Sequence, residues 1–246
     1  MPGMPFPSSQ IHSSTHVLHV HASVDEWTWA SAVAIAAELR RDLVLRPRSR
    51  LLLSGGLTPA PVYRALSKAP LDWERIDVAL VDERWLQPSD PDSNAHLVRT
   101  NLLTNHAAHA RFEAMTQPGR RIEEAVATAN AHARLDASVA VLGMGEDGHV
   151  ASLFPNMAGL ADALASHSAY VAVDASGCPG AGVWQRRISL TPVGLSRARQ
   201  RLLLIRGARK REIFEKAVAS GDVTRWPVLI ALGNASQPPL QVHWCA

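Results

Sequence analysis
An acid and an imidazole stand two residues apart at the end of a glycine-rich bend, Gly143-Met144-Gly145-Glu146-Asp147-Gly148-His149. Three glycines within six residues force the backbone to bend sharply or to approach something closely. A neutral imidazole can take a proton from water near physiological pH, so His149 is a candidate general base. Asp147 would share a face with it if the segment is extended, and could then orient the ring and stabilise its charged form. A loop histidine that merely caps backbone groups is the plain alternative. A second candidate is Ser54-Gly55-Gly56-Leu57-Thr58-Pro59, which reads as a glycine turn followed by Thr58 as N-cap and Pro59 as the first helical residue. Free N–H groups there, with the helix dipole, suit a phosphate. Arg84 follows two acids, Asp82 and Glu83, and could hold a phosphate or a developing oxyanion, or simply pair with its neighbours. Arg187 opens an apolar run. Lys210 is one of three lysines, with Lys68 and Lys216, and falls at a predicted helix start, where a cation is unfavourable unless something anionic binds.

Two attractive misreadings are set aside. The loop Gly143 to Gly148 matches G-x-G-x-x-G, the dinucleotide fingerprint. However, it lies mid-chain, carries two carboxylates where a pyrophosphate would sit, and is followed by Pro155, which would break the required helix. The histidines at 12, 16, 19 and 21 fit no zinc spacing and are better read as outward residues of a strand. No metal and no cofactor are therefore expected.

The elements that must position these residues alternate. Strands are predicted at His16–His21, Arg50–Leu53, Ile76–Val81, Val139–Leu142, Arg187–Thr191, Arg201–Ile205 and Val228–Leu232, with an edge strand at Leu240–Trp244. Helices are predicted from a Ser23/Glu26 capping box to about Leu45, after Pro59, from Ser93 to about Leu103, over Arg120–Leu135, after Pro192, and over Arg209–Ala219. The central strands are apolar throughout, which marks a parallel sheet covered on both faces. In such sheets ligands gather at the carboxyl ends of the strands, and the loops at Ser54, Asp82 and Gly143 all lie there. Without repeats or a low-complexity linker, the chain reads as one domain over residues 15–246, preceded by a flexible tail at 1–14 rich in Pro, Ser and Gly.

The bulk numbers bound the function. The 246 residues are 47% hydrophobic and 19% charged, with a formal net charge of +3. No block of like charge points to nucleic acid, and no apolar run reaches the length of a membrane span. Two cysteines make no disulfide framework and suit a reducing cytoplasmic setting. The first residues, Met1-Pro2-Gly3-Met4-Pro5, lack the charge and apolar stretch of a signal peptide.

Leu53 to Pro59, Val81-Asp82-Glu83-Arg84-Trp85, Asp92-Ser93-Asn94, Gly143 to Pro155, Arg187-Ile188-Ser189-Leu190-Thr191 and Lys210 together resemble the 6-phosphogluconolactonase family, in family order along nearly the whole chain. The resemblance implies a three-layer α/β/α Rossmann-like fold, shared with glucosamine-6-phosphate deaminases. It also implies metal-independent hydrolysis of 6-phospho-D-glucono-1,5-lactone to 6-phosphogluconate, in the oxidative branch of the pentose phosphate pathway. His149 would then activate water with Asp147 beside it, and Arg84 would be a third catalytic residue. Ser54, Gly55, Gly56, Thr58, Asp82, Arg187 and Lys210 would contact substrate. The expected partner is a small sugar-phosphate lactone, with neither nucleic acid nor membrane, and the expected state a monomer or weak homodimer. The family's Ser-Asn-Tyr-Arg reads Ser93-Asn94-Ala95-His96 here, so any role of that tyrosine or arginine is not carried over. A deaminase would continue after the histidine to Asn-Glu-Pro, whereas this chain has Leu153-Phe154-Pro155. A deaminase-like enzyme and a non-catalytic sugar-phosphate-binding protein on the same fold are the alternative readings.

Overall fold
The computed structural model describes residues 9–12 and 15–246. The strands, in chain order, are β1 (Ser9–His12), β2 (His16–His21), β3 (Ser49–Leu53), β4 (Ile76–Leu80), β5 (Asp82–Arg84), β6 (Arg111–Phe112), β7 (Ala137–Leu142), β8 (Tyr170–Asp174), β9 (Arg186–Leu190), β10 (Ala198–Arg206) and β11 (Leu240–Cys245). The α-helices are α1 (Val24–Leu45), α2 (Ala60–Leu66), α3 (Asn94–Asn101), α4 (Ile122–His132), α5 (Leu160–Ala165), α6 (Pro192–Ser196) and α7 (Ala208–Ser220).

Strands β2, β11, β10, β7, β3, β4 and β6 lie side by side in that order, all parallel, with β1 antiparallel on the β2 edge. Every residue of β3, β4 and β7 is buried. Strands sealed on both faces require flanking helices, so the expected α/β/α architecture holds in a single domain. From β3 the chain steps outward to β4 and β6, then returns to the other side of β3 for β7 and β10. The loops after β3 and β7 therefore diverge, leaving a crevice at the point where strand order reverses. A second, antiparallel sheet, β5-β9-β8, continues directly from the carboxyl end of β4 and sets Arg84 opposite Arg187.

Local signals explain the starts of three helices. The Ser23 hydroxyl accepts the Glu26 N–H at 3.1 Å, while the Glu26 carboxylate reaches back to the Ala22 N–H at 2.9 Å. Ser93 caps α3 by accepting the His96 N–H, and Thr191 caps α6 by accepting the Gly194 N–H. Helix α2 departs from expectation: it begins at Ala60 with Pro59 as N-cap and no side-chain cap, so Thr58 stays in the loop.

Other expectations need correction. Val228–Leu232 is part of a 3-10 helix, Pro227–Leu232, not a strand. A short apolar run has no periodicity to separate the two, and Pro227 fixes a helical start. Leu240–Cys245 is no edge strand, for it lies between β2 and β10. The histidines of β2 do not all face outward: His21 is 4% exposed, stacked on the equally buried His243 of β11 at 5.3 Å, and His19 stacks on the same ring at 4.6 Å. Burial pushes His243 down to about 3, so it stays neutral and can pack as an aromatic plate. Most of the expected tail at 1–14 lies outside the described residues, but Ser9–His12 pairs with β2 as a strand.

Candidate active site
A cleft of about 550 Å³ opens at the carboxyl ends of β3, β4 and β7. Ser54, Gly55, Gly56, Thr58, Asp82, Arg84, His149, Arg187 and Lys210 all line it. Of the residues expected at the site, Asp147 alone is set back from the wall, behind the imidazole.

The loop after β7 is a tight turn rather than an extended segment. The Gly145 N–H donates to the His149 carbonyl at 3.0 Å and the Gly148 N–H to the Gly145 carbonyl at 3.1 Å, with Gly148 at φ +82°. That φ is costly for any residue with a Cβ, and Trp226 packs against the bare α-carbon. One Asp147 oxygen, Oδ1, meets the His149 backbone N–H at 3.1 Å and its Nδ1 at 2.6 Å. A carboxylate only accepts, so the bonding assigns the proton to Nδ1 and leaves the lone pair on Nε2. Burial opposes ionisation of Asp147, but the hydrogen bond and charge of His149 outweigh it and hold the carboxyl below its ordinary value. The fully buried ring of Phe154 backs the imidazole at 4.3 Å.

The acids after β4 are spent on the scaffold. Asp82 accepts the Ser152 hydroxyl at 2.6 Å and the Asn94 side-chain amide at 3.3 Å. Glu83, fully buried, accepts the N–H groups of Arg84, Asn94 and Ala95, each at 2.8 Å, and so ties β5 to the start of α3. Burial raises its carboxyl to about 7 despite those bonds. Between about 4.5 and 7 the folded protein therefore holds a proton that the unfolded chain has lost, and Glu83's contribution to stability falls as pH rises through that window. Glu83→Gln is expected to abolish this slope. It should also cost about 1–3 kcal/mol, because an amide N–H2 faces a buried N–H donor. Thermal denaturation of both proteins from pH 5 to pH 7 checks it; parallel curves would refute it.

The three cations differ. Arg84 donates to the Asp92 carbonyl, and among the described residues no carboxylate forms an ion pair with it. Arg187 is 6% exposed and donates to the carbonyls of Trp184 at 2.8 Å and Ala181 at 2.6 Å, with Asp82 at 4.0 Å. Burial lowers its pKa, against the pull of Asp82. Lys210 stands in the first turn of α7, with no acid in that turn, and burial lowers its pKa against the pull of Glu146 and Asp147. Along the glycine turn, the N–H groups of Gly55, Gly56, Leu57 and Thr58 have no hydrogen-bond acceptor among the described residues.

The family described as glucosamine-6-phosphate isomerases/6-phosphogluconolactonase matches residues 22–244. A 6-phosphogluconolactonase of Xylella fastidiosa is 48% identical over 227 residues, covering 90% of this chain and 94% of its own. The chain belongs to the glucosamine-6-phosphate isomerase/6-phosphogluconolactonase family. The crystal structure of a 6-phosphogluconolactonase from Shewanella baltica superposes with a TM-score of 0.87 at 30% identity, covering 94% of this chain and 98% of that one. A monomeric glucosamine-6-phosphate deaminase, at 17% identity and a TM-score of 0.74, shares the fold alone. Both activities of the family therefore sit on this scaffold, and side chains must separate them.

Within this family frame, several residues that line or brace the cleft were not among the expected site residues. Asn94 fills the space beside Gly55, where any Cβ would collide with its side-chain amide. Ser152 bridges Asp82 and Arg187. Trp184 closes one wall by donating to the Asp92 carboxylate at 2.9 Å. Asn94 and Ser152 lie inside motifs already singled out, so their signal was present; Trp184 carried none.

Proposed function
We propose that this chain hydrolyses 6-phospho-D-glucono-1,5-lactone to 6-phospho-D-gluconate. The observation that carries this reading is the Asp147–His149 pair, which presents a free Nε2 to a cleft furnished with cations. His149 takes a proton from water as its oxygen bonds to C1. The negative charge developing on the carbonyl oxygen is held by Arg84. Collapse of the tetrahedral intermediate breaks the C1–O5 bond, and the imidazolium returns its proton to O5. Phosphate bound by Lys210 and the unpaired N–H groups of Gly55 to Thr58 positions the ring. Asp82 and Arg187 shape the wall, because their polar groups are already engaged there. Supporting hydrolysis over deamination, Phe154 occupies the position where the deaminase motif has a glutamate, leaving no second acid for ring opening.

The enzyme is further proposed to be cytoplasmic, a monomer or weak homodimer, and to work without nucleic acid or membrane. Support comes from two free cysteines and dispersed charge, and among the described residues no helix is long and apolar enough to cross a membrane. The direct test is conversion of freshly generated lactone, followed by NMR and corrected for spontaneous opening; no acceleration of ring opening would refute the activity. Lys210→Ala is expected to raise KM about tenfold or more with kcat nearly held, the loss of one charge-assisted hydrogen bond. An unchanged KM removes Lys210 from the phosphate site.

A further inference from the structure
The Asp147–His149 pair is confined between two bare α-carbons from separate parts of the chain. On one side is Gly145, within its own loop, where a Cβ would lie 2.5 Å from Asp147 Oδ1 and nearer still to the imidazole. On the other is Gly180, in the exposed turn between β8 and β9. A Cβ there would overlap Asp147 Oδ2 and lie 3.2 Å from its Cγ and 3.3 Å from His149 Nδ1. Neither glycine has a positive φ, so the backbone itself would accept alanine at both. What demands glycine at 180 is the space taken by the acid.

The turn that carries Gly180 is held firmly. Ala181 is buried with Leu153, Phe154, Met157 and Leu160 in a small satellite core, and Phe154 from that core is the ring behind His149. Arg187 fixes the carbonyls of Ala181 and Trp184, and its guanidinium lies 5.3 Å from the centre of the Phe154 ring. Trp184 then ties the turn to Asp92 across the cleft. A turn anchored directly after Gly180, at Ala181 and Trp184, cannot easily retreat from the carboxylate, so its position limits which Asp147 rotamers exist.

We infer that Gly180 is a positioning residue for the hydrolysis: its α-carbon confines the Asp147 carboxylate against His149 Nδ1 and thereby keeps the lone pair on Nε2. This rests on His149 being the base. A side chain at 180 would drive Asp147 off the ring, and a neutral imidazole without that acceptor exchanges its proton between both nitrogens. Arg187 acts in the same direction from further back, through the turn it anchors.

The test compares wild type, Gly180→Ala and Pro179→Ala. Pro179→Ala alters the same exposed turn without adding atoms toward the pair. Steady-state kinetics are read together with long-range proton–nitrogen correlation spectra of the imidazoles, with His149 identified by the signals missing in His149→Gln. Gly180→Ala is expected to lose about tenfold to a hundredfold in kcat, with KM little changed, and to show a mixture of tautomers at His149. Pro179→Ala should match wild type in both. The inference is overturned if Gly180→Ala keeps its kcat, or if kcat falls while His149 retains a pure Nδ1–H pattern. Either result would leave the general-base role intact, because that role stands or falls on removal of the imidazole itself.

Discussion
His149→Ala is expected to lower kcat by at least about a hundredfold, or roughly 2.7 kcal/mol in the barrier, the low end for loss of a general base. KM should change little, because the phosphate contacts proposed for Lys210 and the glycine turn are left in place. The fold should survive: the side chain is about one-fifth exposed, and its loop remains tied by the Gly145–His149 and Gly148–Gly145 backbone bonds and by the Val228 N–H on the Gly148 carbonyl. Activity should not vanish, since positioning and oxyanion stabilisation outlast the base. The measurement is initial-rate lactone consumption corrected for spontaneous opening, with circular dichroism confirming the fold. Near-wild-type turnover would remove His149 from the chemistry and, with it, the reading of Asp147 as its orienting acid.

The candidate site was legible in the sequence where its residues are close along the chain. Asp147, Gly148 and His149 are adjacent, and an apolar run before a glycine bend places them at a strand end without knowledge of the rest of the fold. The convergence of the loops at Ser54, Asp82 and Gly143 followed from one rule about parallel sheets. What stayed hidden depends on approach between distant segments. Gly180 touches Asp147 across more than thirty residues, and nothing in its own neighbourhood announces that contact. Arg187 reads from sequence as the opening of an apolar run and a substrate contact, and nothing there announces its burial or its bonds to the carbonyls of Ala181 and Trp184. His21 resembles an exposed strand histidine until β11 brings His243 against it. Val228–Leu232 has the composition of a core strand, but Pro227 starts it as a helical turn and the Val228 N–H is taken by the loop carrying His149. Composition records what each segment can bury but not which distant neighbour it will meet.

Arg84→Ala separates the two poles of the cleft. The sequence allowed Arg84 to be a mere partner of its flanking acids, but both are occupied elsewhere: Asp82 with Ser152 and Asn94, Glu83 with three backbone N–H groups. Its charge thus faces the cleft, and among the described residues no acid stands in ion-pair range and its buried Nε has no hydrogen-bond partner. A cation left in that condition could meet charge that arrives with the reaction, the role proposed for it. Removing an oxyanion partner costs about a hundredfold to a thousandfold in kcat, and Arg84→Ala is expected within that range with KM nearly constant. Arg84→Lys keeps the charge but not the fork that holds the Asp92 carbonyl, and should recover only part of the loss. Steady-state kinetics decide between the poles. If KM rises while kcat holds, Arg84 grips the phosphate, and the oxyanion must be met by backbone N–H groups instead.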